Sequence, residues 1–352
     1  MRTSIPAALP APIALPIELL DRARLAFLRA LGPLARPLVR SRELRVAVAG
    51  TIGVLIALAL TGVAPLWMLA LGPILLGVPH AAADVRYLVQ RPGLHRRPAF
   101  WLLVVLPLAV ATITVDVRWG LAAPIGAALA ARGSIARRAL VMVLAAVALA
   151  LAWQDPWSAA LVIAHAHNFV AIAFWLAWRK RRSWLHALPL GALALGCIAI
   201  LAGALDPLVI ALGGLEGEST GTGLWYHLAT LAPGLGAPWG ARLVMLFAFT
   251  QSVHYAIWVR LVPEEDRAQR TPRTFAASLR AWRVDCGTPV VALTIAIALG
   301  IAIWAIVDLA AARDGYLRGV ISHGYLELAV VAWLAVERRG LRTSEWLGSS
   351  AG

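Results

Sequence analysis

Charge is scarce in this chain: only 14% of its 352 residues are Asp, Glu, Lys or Arg, where soluble domains carry roughly a quarter. With 61% of residues hydrophobic and a mean hydropathy of +0.77, a water-soluble fold is excluded. Cysteine is nearly absent: Cys197 lies in an apolar run and Cys286 in a basic loop, which rules out a disulfide framework or a thiolate metal site. The sequence has no Walker A loop, no G-x-G-x-x-G, no G-x-S-x-G elbow, no H-E-x-x-H and no C-x-x-C-H. Gly213, Gly214, Gly221 and Gly223 are loop glycines. No secretory signal is visible, since Pro6, Pro10, Pro12 and Pro16 interrupt the opening and no h-region follows. Neither a solenoid period nor a two-fold internal repeat is found. Acids are outnumbered 18 to 32 by Lys and Arg, giving a net charge of +14. Such a charge can signal nucleic acid, but here the arginines sit in short patches between apolar runs, so no nucleic-acid partner is implied.

What fills the chain is a succession of apolar runs. A span needs about 20 such residues to cross a hydrocarbon core roughly 30 Å thick. Ten are predicted, at 46–63, 65–88, 99–117, 119–131, 139–153, 158–178, 186–205, 241–260, 288–311 and 315–336; the fourth and fifth are short. The expectation is therefore an all-α, polytopic transmembrane bundle in three parts. These are an amphipathic leader at 1–45, a membrane domain at 46–336 and a tail at 337–352. Basic residues gather on the cytoplasmic side of membrane proteins. With both termini placed there, the leader, RPGLHRRP, ARGSIARR, RKRRSW, the 260–287 loop, the tail and the span ends beside them hold all of the 32 Lys and Arg except Arg118, Arg242, Arg313 and Arg318. This pattern predicts a multi-pass protein of the bacterial inner membrane. Its leader mixes Leu and Arg at near-helical spacing and would lie on the anionic cytoplasmic leaflet, as would the basic loop around Trp282. The opposite side is sparse and acidic: Asp116, Asp155, Asp206, Glu216, Glu218 and Asp314, with Asp308 close by. The Gly-rich stretch 213–240 is its longest loop.

Ionisable groups at bilayer depth are costly and often mark function. His95 and His186 belong to the basic loops, and His227 to the 213–240 loop. The other five histidines lie inside spans: His80, His165, His167, His254 and His323. They occupy the second, sixth, eighth and tenth spans, all running in one direction. At about 1.5 Å per residue they fall in a common slab roughly 12 Å thick, between the midplane and the inner third.

Two acids lie well inside a span. Asp84 follows His80 by four residues and Glu327 follows His323 by four, so each pair shares a helix face. Gln251 precedes His254 by three and Asn168 follows His165 by three. His165 and His167 are about 200° apart around a helix and cannot serve one mononuclear centre from one wall. The reading favours His165 with Asn168 and keeps His167 as an outer or alternative ligand.

Imidazole with carboxylate suits iron, zinc, copper or manganese. Di-iron bundles use Glu-x-x-His and more acids, so a histidine-rich non-haem iron site fits this order better. His80, His165, His254 and His323 are the candidate ligands. Asp84 and Glu327 would complete the shell or act as base toward bound water. Pro79 would kink its helix beside His80 and free a carbonyl. The same residues also suit a proton or metal-ion path, polar packing between helices, or paired axial ligands to haem.

The segment Gly77-Val-Pro79-His80-Ala-Ala-Ala-Asp84 resembles the Gly-x-Pro-His-Gly-x-x-Asp-type motif of the Brp/Blh family of membrane-bound bacterial β-carotene dioxygenases. The resemblance implies a multi-span architecture, non-haem iron held by histidines with His80 among them and Asp84 beside it, and O₂-dependent cleavage of a carotenoid. The chain has Ala81 where that family tends to have Gly. HAHNF, QSVHYAIW and SHGYLE also differ from the family's later His-x-x-x-His pattern. Combined with the span histidines, this leads to the expectation of a membrane oxidoreductase acting on a lipid-soluble carotenoid, isoprenoid or acyl substrate. A proton- or metal-ion transporter is the alternative.

Overall fold

A computed structural model describes residues 11–179, 183–216, 220–267 and 270–338. Outside the described residues lie the start of the leader, three residues of RKRRSW, Glu218 and nearly all of the tail. Every regular element among the described residues is helical. Bilayer-embedded backbone must satisfy its own N–H and C=O groups, which a helix does within one segment.

Thirteen of these helices organise the molecule. A leader helix, α1 (Ala11–Ala30), precedes α2 (Arg42–Val63) and α3 (Pro65–Gln90). Two shorter apolar helices follow, α4 (Pro98–Thr114) and α5 (Val117–Ala130), then α6 (Ile135–Gln154), α7 (Pro156–Trp178) and α8 (Trp184–Leu201). A short helix, α9 (Leu224–Leu231), leads to α10 (Trp239–Ala256), which runs on through a π turn at Ile257–Leu261. Next come α11 (Phe275–Cys286), α12 (Thr288–Val307) and α13 (Leu309–Glu337). Seven of them (α2, α3, α6, α7, α8, α12 and α13) are long and apolar enough to cross a membrane, so the chain is a multi-pass integral membrane protein. The predicted spans at 99–117 and 119–131 form the shorter α4 and α5. The one at 241–260 forms α10, which carries Arg242, Gln251 and His254.

Capping explains why the acids sit where they do. Asp116, Asp155 and Asp308 precede α5, α7 and α13, and each accepts a hydrogen bond from a first-turn amide: Arg118 N at 2.9 Å, Ser158 N at 3.0 Å and Ala311 N at 2.9 Å. An aspartate at this position satisfies an orphan donor and faces the positive helix end. At the arginine-rich end Ser41, Ser134 and Thr274 cap α2, α6 and α11 without adding charge.

Close approach of α13 to the bundle depends on missing side chains. A Cβ on Gly77 would fall 2.3 Å from the Tyr316 ring, and one on Gly120 would fall 2.5 Å from Tyr325. The second half of α13 therefore packs tightly on α5, while α2 packs on α8 and α10. By contrast, α6 and α12 are peripheral, with only 6% of their apolar windows buried.

The helices depart from regularity around the histidines. Pro79 has no N–H for the carbonyl four residues back, and α3 widens into a π turn at Pro73–Gly77 just before it, with a second at Val85–Gln90. Within α13 the helix stops at Gly319, turns through 320–322 and restarts at His323.

Acids at the arginine-rich end are tied into ion pairs. Arg45 pairs with Glu264, which also accepts from Arg267 at 3.3 Å. Arg86 meets Asp285 at 2.6 Å, Arg91 pairs with Asp266, and Arg97 reaches Glu337 at 2.8 Å. On α1, Asp21 accepts from Phe275 N at 2.7 Å and Ala276 N at 3.2 Å, so the leader caps α11.

Burial pushes the Glu264 carboxyl up, but the hydrogen bond and charge of Arg45, with Arg267 and Arg260, outweigh it and hold the group below the ordinary glutamate value. A depressed folded value means stability that is present above the unfolded value and lost as pH falls through the folded one. Glu264→Ala, which leaves Arg45 and Arg267 buried without their counter-charge, is expected to cost about 3 kcal/mol. Its thermal midpoint in detergent should fall accordingly, and the acid-limb loss of stability expected of the unaltered chain should shrink.

Candidate metal centre

Four imidazoles meet where α3, α7, α10 and the second half of α13 come together. Ring centroids of His80 lie 4.6 Å from His254 and 5.0 Å from His323; those of His167 lie 5.2 Å from His254 and 5.3 Å from His323. His80 and His254 are fully buried, as are Asp84 and Glu327; His167 and His323 are half-buried.

The rings are oriented from behind. His323 Nδ1 lies 2.7 Å from the Val320 carbonyl, His167 Nδ1 2.8 Å from Ala164 O, and His254 Nδ1 3.4 Å from Asn168 O. A carbonyl can only accept, so Nδ1 carries the proton and the Nε2 lone pair is released. This backing is how metal-ligating histidines are held. The turn at 320–322 makes the first of these contacts, because it places Val320 O under the His323 ring.

The Nε2 atoms of His80 and His254 approach within 2.7 Å. Asp84 Oδ2 lies 3.5 Å from His80 Nε2, and Glu327 Oε1 lies 3.6 Å from His254 Nε2. Ligands at about 2.0–2.2 Å from one ion stand roughly 3–3.5 Å apart; the 2.7, 3.5 and 3.6 Å separations here bracket that range. Two overlapping sets of ligand atoms, His80/His254/His323 and His80/Asp84/Glu327, each lie within 4.8 Å of one another. Buried in the same place without a hydrogen-bond partner are His80 Nδ1, both oxygens of Asp84 and Glu327 Oε2. Such orphaned groups are uncommon in interiors and call for an ion or equivalent partner. The cluster could hold a metal ion; the donor set alone does not choose which.

Of the residues singled out by sequence, His80, Asp84, His254, His323 and Glu327 are brought together. The choice made on α7 is reversed: His167 joins the other rings, whereas His165 faces away. Its Nε2 lies 2.9 Å from Leu231 O at the end of α9, and its ring packs on Phe247. An unbroken helix separates the two by about 200°, so only one could enter. Asn168 contributes through its backbone carbonyl, while its side chain donates to Thr250 Oγ1 at 3.3 Å. Gln251 is buried on α10 one turn before His254. His227 is buried beside Thr222, and burial followed by the nearby Arg313 lowers it to about 4. His95 and His186 sit against local carbonyls at the arginine-rich end.

Sequence reasoning missed Trp258, whose Nε1–H donates to Glu327 Oε1 at 2.8 Å. Its spacing of four from His254 was a readable same-face signal. Tyr255, with its ring 5.2 Å from His80, follows His254 directly and carried no such signal.

Fold and cluster together define a multi-pass helical membrane protein with a buried histidine–carboxylate centre. No family model, curated protein or solved structure matches the chain.

Trp258→Phe removes the donor behind Glu327 and is expected to weaken metal binding by about 10–100-fold in a chelator competition. His167→Ala should lower metal content in purified protein and His165→Ala should not; equal losses would contradict the assignment of the two rings.

Proposed function

We propose that this chain is a membrane-embedded oxidoreductase whose non-haem iron is held by His80, His254 and His323. His167 is the fourth imidazole, and Asp84 and Glu327 complete the donor set. One observation carries the reading: three rings lean on backbone carbonyls so that Nε2 is free to face the cluster, where both oxygens of Asp84 and Oε2 of Glu327 lie buried without a hydrogen-bond partner. Four imidazoles beside two carboxylates suit iron, and the contact among the rings favours a non-haem centre. When bound, iron supplies redox chemistry toward O₂, as the resemblance of Gly77–Asp84 to the Brp/Blh motif suggests.

The protein's own groups then have definite tasks. Burial of His80, His254, Asp84 and Glu327 keeps bulk water from the centre. Asp84 and Glu327 are placed to hold or accept a proton, with Trp258 fixing one oxygen of Glu327. The half-buried edges of His167 and His323 give a side by which a lipid-soluble carotenoid, isoprenoid or acyl chain enters from the bilayer. In this reading α4, α5 and α10 also cross, making ten spans. The arginine-rich end faces the cytoplasm of a bacterial inner membrane, with α1 resting on its anionic leaflet.

A second reading has support in the broken α13, since discontinuous helices near mid-depth frequently line transport sites. Under it the same His, Asp and Glu residues pass protons or metal ions.

Metal analysis of detergent-purified protein separates the two. Stoichiometric iron surviving dialysis, and lost in a His80→Ala/His323→Ala variant, is the expected result. Metal-free protein that acidifies liposomes under a proton gradient would establish the transporter.

A further inference from the structure

Four arginines lie away from the arginine-rich end, and three of them are neutralised. Arg118 meets Asp116 at 2.6 Å, Arg242 meets Asp206 at 2.7 Å, and Arg313 meets Asp314 at 2.7 Å while donating to Leu69 O at 2.9 Å. Arg318 is different. It is exposed, and among the described residues it has neither a hydrogen bond nor an ion pair.

Its depth makes that unusual. The first half of α13 descends alongside α3: Arg313 sits at Leu69, and the Tyr316 ring sits at Gly77. From Pro65 to residue 77 is about 18 Å along a helix axis, which is past the middle of a hydrocarbon core about 30 Å thick. Arg318 follows Tyr316 by two positions, at the point where the helix breaks. A guanidinium at such a depth is expensive unless it meets water or an anion.

The break also sets its distance from the centre. His323 is five residues further on, so the two α-carbons are at most about 18 Å apart. His323 and His167 form the half-buried edge of the cluster, and Gly319 beside Arg318 is exposed as well. The Arg318 α-carbon therefore lies within about 18 Å of the half-buried His323 edge of the cluster.

We infer that Arg318 is a substrate-binding residue that holds the anionic head of an amphiphile. The ligand is an alkyl or isoprenoid chain ending in a carboxylate, with its tail in the bilayer and its first carbons directed at the histidine centre. A guanidinium suits a carboxylate because it offers two parallel N–H donors. This assignment rests on the lipid-soluble substrate proposed above and narrows it to acidic lipids. Arg318 would fix which carbon is presented, because a head pinned at one end leaves only the carbons at a set distance within reach.

The test is a binding titration of full-length protein in neutral phosphatidylcholine nanodiscs, read by tryptophan fluorescence, with oleate and oleyl alcohol as the two probes. Wild type is expected to bind oleate about tenfold or more tightly than the alcohol, the scale of one charge-assisted contact. Arg318→Gln should abolish that preference and keep wild-type metal content; Arg318→Lys should retain part of it. His80→Ala/His323→Ala should lose metal and keep the preference, so failure of the metal reading is seen separately from failure of this one. Equal affinity of wild type for the two probes, or an undiminished preference in Arg318→Gln, overturns the assignment.

Discussion

Two imidazole nitrogens 2.7 Å apart, with carboxylates 3.5 and 3.6 Å from them, cannot persist in a dry interior unless a proton or cation lies among them. If both lone pairs face inward they repel, and two ionised acids in low dielectric repel as well. The surrounding structure works in one direction on this constraint. Val320, Ala164 and Asn168 carbonyls hold the rings, and Trp258 holds Glu327. Each of these contacts stabilises an arrangement that a shared proton or a cation completes.

Departures from the ideal helix are what bring the groups to one point. The π turn ahead of Pro79 and the turn at 320–322 lie in the two helices that bring a histidine and an acid together. Gly77 and Gly120 help from the other side, by letting aromatic rings of α13 lie against backbone. Irregular backbone within a bilayer is tolerated where protein or a polar cavity covers it, and here it surrounds the polar cluster.

The centre was legible in the sequence to the extent that its spacing is local. His80 with Asp84, and His323 with Glu327, are i, i+4 pairs, and an α-helix turns that spacing into a shared face wherever it lies. Choosing between His165 and His167 required the rotation of α7 about its own axis. That rotation is set by Asn168 against Thr250 and by His165 against α9, contacts far apart in the chain. The break in α13 has one local signal, Gly319 at the point where the helix stops, but the turn itself, Val320-Ile-Ser322, contains neither glycine nor proline. Long apolar helices were readable from hydropathy. The run at 241–260 was read as a span as well, and its α10 is the helix in which Arg242, Gln251 and His254 dilute the apolar signal.

Asp21 caps α11 across 254 positions of chain. During synthesis at about 5–20 residues per second, the leader therefore exists for something like 10–50 seconds before its acceptor helix is made. Through that interval α1, with Leu15, Leu19, Leu20 and Phe27 exposed even in the finished fold, cannot yet make this contact. This attachment is thus a late event of assembly, and a chain cut short before residue 275 would lack the amides that Asp21 caps.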